Sequence, residues 1–170
     1  MELRKKHFFV FTVSAVVCVL LLFSCSVINK PPSPETVRKN LYANYPDIKP
    51  LIDYVAQMEY ENIYFRRNSD TFLVGLERKE ISEIPISESI FRLLDNNAYI
   101  NISIANDTIC LLQWTGPQDI GCGVAYSLNP DRLPDVEFGT TLIPIGTDGW
   151  YYYISDYNQW RSNQANPASQ

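Results

Sequence analysis

The chain has 170 residues, with 19 acidic and 14 basic side chains, four cysteines and one histidine. The lone histidine, His7, sits in an N-terminal segment expected to be removed, which leaves the mature domain with none and excludes Ser-His-Asp and Cys-His nucleophiles and every His-containing zinc site. An apolar fraction of 46% is ample for one domain's core, while seven glycines and 19% charge fit neither a glycine-rich phosphate binder nor a disordered chain.

The chain opens on a short basic head, with Arg4, Lys5 and Lys6 against Glu2. Phe8 to Phe23 then carries no charge and only Thr12 and Ser14 as hydroxyl side chains. As a helix these residues would span about 24 Å, short of the roughly 30 Å hydrocarbon core, so a secretory signal is expected rather than a permanent transmembrane helix. The run ends in Leu21-Leu22-Phe23-Ser24-Cys25, which resembles the lipobox of bacterial lipoproteins. It has an aliphatic residue three before the cysteine and a small residue just before it; Phe23 is bulkier than the commonest choice. The resemblance covers the signal and nothing beyond it. It implies cleavage after Ser24, thioether lipidation of Cys25 and acylation of the new amino terminus, which together anchor a protein stably where a single acyl chain would not. The expected location is therefore the cell envelope, with the membrane as partner through the lipid on Cys25. Ser26 lacks the aspartate associated with inner-membrane retention in enteric bacteria, which leaves inner against outer membrane open.

The whole chain carries −5; subtracting the +2 of the first 25 residues leaves −7 on the remainder. Such a domain has no electrostatic reason to bind nucleic acid. Of the four cysteines, Cys18 goes with the signal and Cys25 carries lipid. Cys110 and Cys122 fall on two strand-like runs, Thr108 to Trp114 and Gly121 to Leu128, around a turn-rich Thr115–Asp119. Read as hairpin partners, with Cys110 sharing a face with Leu112 and Trp114, they are expected to form a disulfide, since exported domains favour one. The spacing is too wide for a Cys-x-x-Cys redox pair.

Residues 25–32 read as lipidated cysteine and tether, 33–160 as one domain, and 161–170 as a frayed polar tail. Ser33 is the expected N-cap of a first helix, with Pro34 at its first position, running to Tyr45 and stopping before Pro46. A second helix is expected from Asp47, with Leu51, Ile52, Val55 and Met58 at helical spacing. Asn62–Arg67 and Thr71–Arg78 read as a hairpin, and Ser87–Leu94 as a short helix with Ile90, Phe91 and Leu94 inward. Tyr99–Ala105 alternates strictly, with Ile100, Ile102 and Ile104 on one face. Further strands are expected at Thr140–Ile145 and Trp150–Ser155. The order predicts an α+β domain: N-terminal helices packed on one antiparallel sheet of about five to seven strands. It is similar to the element order of PAS-like and Cache-like sensor domains, as an analogy of order alone.

Candidates for chemistry are few. The closest carboxylate pairs, Glu59 and Glu61, Glu80 and Glu83, Asp131 and Asp135, read as solvated surface, and no phosphate-binding, EF-hand or nucleophile-elbow motif occurs. No cofactor or metal is expected. The aromatic run Trp150–Tyr153, continuing to Tyr157 and Trp160, reads either as a strand covered on both faces or as an exposed binding patch of Tyr151, Tyr153, Tyr157 and Trp160. The leading expectation is a non-enzymatic binding module on the envelope, with an envelope protein as partner. The alternatives are a small-ligand sensor domain, which needs an apolar pocket between sheet and helices, and a carboxylate-based envelope hydrolase.

Overall fold

The computed structural model describes residues 30–58, 62–146 and 149–165, and the fold is that of the unit from Pro31 onward. The lipobox, Cys25, Glu59, Glu61 and residues 166–170 lie outside the described residues.

Helix α1 spans Pro34–Val55, capped by the Ser33 hydroxyl, which accepts from the Thr36 amide. Its 22 residues run straight through Pro46 and Pro50, where the sequence predicts two helices with a break. Each proline removes a backbone donor, leaving the Tyr42 and Pro46 carbonyls without their usual intrahelical partners, a defect of roughly 3 kcal/mol in an isolated helix. Packing overrides it: Val37, Leu41, Ile48, Leu51 and Val55, taken from both sides of Pro46, are all buried in one core. Breaking the helix would separate these side chains from a shared surface.

Eight antiparallel strands form one sheet in the order β3-β2-β1-β4-β5-β6-β8-β7, confirming the α+β class with more strands than the five to seven predicted. The strands are β1 Ile63–Arg66, β2 Thr71–Val74, β3 Glu77–Glu80, β4 Asn101–Ala105, β5 Thr108–Thr115, β6 Ile120–Ser127, β7 Gly139–Pro144 and β8 Trp150–Asp156. The extra strand comes from the run expected as Thr71–Arg78. Val74 pairs directly with Glu77 across a two-residue turn at Gly75-Leu76, and Gly75 has φ +59, the left-handed region that a primed hairpin turn requires. The β4–β5 turn uses the same device: Asn106 and Asp107 both have positive φ, at 50° and 58°.

Helix α2, Ser87–Asp95, lies between β3 and β4 in sequence and packs against α1. Its buried residues are Ser89, Ile90, Leu93 and Leu94, while Phe91, expected inward, is only half-buried. Arg67 ties this region to the sheet, its guanidinium donating to the carbonyls of Leu94 and Tyr99. The core lies between the two helices and one face of the sheet, where Phe65, Ile102, Ile104, Val124, Trp150 and Tyr152 are buried. The alternation expected for β4 holds at Ile102 and Ile104; Ile100 precedes the strand and is half-buried.

The expected disulfide does not form: Cys110 and Cys122 are free thiols. β5 and β6 do pair, but Cys110 lies opposite Ala125 and Cys122 opposite Trp114. An offset of three residues is about 10 Å along a strand, beyond the reach of an S–S bond. A bulge between Leu112 and Trp114 also changes the parity of β5. Trp114 therefore packs against the core on the side of Cys122, while Cys110, in register with Ala125, stays on the opposite face. Both thiols should resist alkylation in the native protein at neutral pH and react once it is unfolded without reductant. Peptide mapping that found either one oxidised to the other would contradict this.

The chain entering α1 is also fastened to the sheet. The Pro32 carbonyl accepts from the Tyr152 hydroxyl at 3.2 Å and lies 4.0 Å from the Cys122 thiol. Pro32 is thus part of the folded domain rather than the end of a loose tether.

Candidate functional site

One face of the sheet is filled by the core; the other carries the site. β6 and β7 both pair antiparallel with β8, so they run parallel to each other. The chain leaving β6 at Ser127 must therefore travel back along the sheet before β7 begins at Gly139. It does so as a crossover, residues 128–138, laid over the face opposite α1. The crossover is fixed at one end by the Leu128 amide donating to the Asp107 carbonyl and by the Asp135 amide donating to the buried Thr108 hydroxyl. At the other end the Asp156 amide donates to the Phe138 carbonyl.

Between this crossover and the β1–β4–β5 part of the sheet runs an open groove of about 520 Å³. Ser103, Ala105, Thr108 and Cys110 form its floor; Asp135, Glu137, Phe138 and Trp160 line the other side. Asp135 is held in place by its own backbone bond and by the Asn106 amide group, which donates to one carboxylate oxygen at 3.1 Å. Burial pushes the Cys110 thiol up to about 12, with the charge of Asp135 adding and a hydrogen bond to Ser103 opposing. At neutral pH burial thus favours the protonated thiol at Cys110.

Phe138 has φ +55, a conformation that a bulky side chain rarely adopts and that costs roughly 1–3 kcal/mol. Its ring is the centre of an aromatic cluster, edge-on to Tyr157 at 5.0 Å and to Trp160 at 5.1 Å. Tyr157 and Trp160 belong to helix α3, Tyr157–Ala165, which touches β7 and β8. Residues 161–165, expected to fray, are the second half of that helix.

The four aromatic residues singled out in the sequence do not act together. Tyr153 is buried, 4% exposed, opposite Gly123 on β6, and its burial raises its hydroxyl pKa well above the ordinary tyrosine value. Tyr151 is half-buried on the same strand. Tyr157 is 39% exposed and Trp160 half-buried, and these two meet at Phe138. Sequence reading missed Phe138, Asn106 and Asp135 as a set. The one available signal was a single large aromatic, Phe138, at the end of the proline- and aspartate-rich stretch after β6.

The carboxylates considered for hydrolysis, Glu80, Glu83, Asp131 and Asp135, are all exposed. Among the described residues no group of histidine, cysteine and carboxylate side chains could hold a metal ion, and no helix is long and apolar enough to cross a membrane. A second cavity, of about 420 Å³, opens beside the β4–β5 turn, between Met58, Asp107 and Arg132. Neither it nor the groove lies enclosed between α1 and the sheet.

Fold and site together define an α+β domain with one helix-covered sheet face and one face grooved by a crossover. Compared with known family models, curated proteins and solved structures, the chain finds no match.

Proposed function

We propose that this chain is a lipid-anchored protein of a bacterial cell envelope whose domain is a non-enzymatic binding module working through the groove. The anchor rests on Leu21-Leu22-Phe23-Ser24-Cys25, with Cys25 as the acylated residue. The binding role rests on one observation above all: Phe138, at φ +55, and Trp160 line the groove together. Strain is kept where surrounding structure over-determines it, and such places gather at ligand-contacting sites. The aromatic contacts of Phe138, at about 0.5–1.5 kcal/mol each, offset its cost. Tyrosine and tryptophan beside a polar groove are also the residue types that dominate binding hot spots.

Two measurements test the two halves separately. Metabolic palmitate labelling should mark the wild type and not Cys25→Ala, which should also leave the membrane fraction. Unchanged membrane attachment of Cys25→Ala would make a transmembrane anchor the better account. For the binding half, Trp160→Ala should lose an envelope partner that the wild type retains, with far-ultraviolet circular dichroism unchanged. Equal retention by both would remove the groove from the function.

A further inference from the structure

We infer that the groove takes an extended, arginine-bearing segment of a partner protein; this rests on the binding-module reading above and names the chemistry of the partner. Charge is the first reason. Among the described residues the only charged side chains lining the groove are Asp135 and Glu137, both exposed, and no lysine or arginine lines it. Glu137 has no hydrogen-bond or ion-pair partner among the described residues, whereas Asp135 has one oxygen on Asn106 and a second free. Two carboxylates on one wall would lose water to any occupant that covered them, and an uncharged occupant would return nothing for that loss. A cation does. The −7 of the chain after its first 25 residues attracts a cationic partner from a distance as well.

The choice of arginine over lysine follows from the aromatic side of the groove. Trp160 and Phe138 share the site with the two carboxylates. A guanidinium is planar, stacks on an indole and bonds a carboxylate through two parallel N–H groups, whereas an ammonium is a strongly hydrated point charge. Size sets the form of the occupant. A groove of about 520 Å³ matches a few side chains on an extended backbone and not a folded surface. Asn62 and Ser103 add neutral hydrogen-bonding groups of the kind such a backbone uses.

The test uses the full chain in detergent, with a tri-arginine peptide as probe and isothermal calorimetry as readout. Tri-arginine should bind the wild type and weaken as salt is raised. It should bind the double variant Asp135→Asn/Glu137→Gln about tenfold more weakly, the size of two part-exposed ion pairs. The control Glu80→Gln/Glu83→Gln removes the same charge away from the groove and should bind like the wild type. Equal weakening by both double variants would mean attraction to overall charge and would overturn the inference. So would an absence of tri-arginine binding to the wild type. Binding of a chito-oligosaccharide in place of tri-arginine, lost on Trp160→Ala, would overturn the cationic segment while leaving the groove as a binding site. The binding-module reading fails on a different result, the equal partner retention by Trp160→Ala described above.

Discussion

Replacing Gly123 with alanine should destabilise the domain by about 3 kcal/mol or more, the largest effect expected of any single methyl group added to this sheet. Gly123 lies near the centre of the sheet, opposite Leu112 on β5 and Tyr153 on β8. A Cβ built there runs into the Leu111 carbonyl oxygen, with the Leu111 carbonyl carbon at 3.0 Å and the Leu112 Cα at 3.1 Å. All three are backbone atoms and cannot rotate away as a side chain would. The β5 bulge begins next to this point, after Leu112, where a glycine accommodates the close backbone approach. Gly75→Ala is the informative comparison. Nothing lies within 4 Å of its built Cβ, but φ is +59, so only backbone strain of about 1–2 kcal/mol is expected. Urea unfolding midpoints of the two variants should therefore separate clearly. Equal midpoints would show that β5 can move away from β6 and that the bulge is soft.

Alkali should unfold the protein more effectively than its exposed ion pairs would suggest. Cys110, Cys122, Tyr99, Tyr152 and Tyr153 all have their ionisation pushed upward, in each case chiefly by burial. Each keeps its proton in the folded state at a pH where the unfolded chain has already lost it. The unfolded state then binds fewer protons, and stability falls as pH rises. For Cys110 this contribution is complete below the ordinary thiol value of 9.0 and is lost up to about 12. The tyrosines act in the same direction beginning above pH 10.0, their ordinary value. Tyrosinate absorbance followed with circular dichroism gives the check. Tyr99 and Tyr153 should ionise together with the loss of secondary structure, in one cooperative step. Smooth ionisation of every tyrosine with native dichroism intact would contradict the burial argument.

What could be read from the sequence was local. The Ser33 cap, the two-residue period at Ile102 and Ile104, and the strand from Trp150 each depend on neighbours within one element. The two-helix reading failed at Pro46 because five apolar residues on both sides share one core, and that burial is invisible to a local proline rule. The hairpin at Gly75-Leu76 has a signal in the sequence, a glycine inside a strand-like run. The disulfide failed for a different reason. The β5–β6 register sets Cys110 opposite Ala125, three residues away from Cys122, and no composition or spacing announces that register. The groove was the least legible of all. It exists because residues 128–138 return along the sheet and bring Asp135, Glu137 and Phe138 over Ser103 and Cys110, which are distant in sequence.

The fastening of Pro32 to Tyr152 marks where the folded domain begins. Only seven peptide units separate Cys25 from Pro32, at most about 25 Å of fully extended chain. With Cys25 acylated as proposed, the domain would be confined to a thin layer above the bilayer. It would meet its partners by lateral diffusion in two dimensions. Lengthening that leash should enlarge the volume the groove can search and lower the frequency of encounters with partners held at the membrane surface.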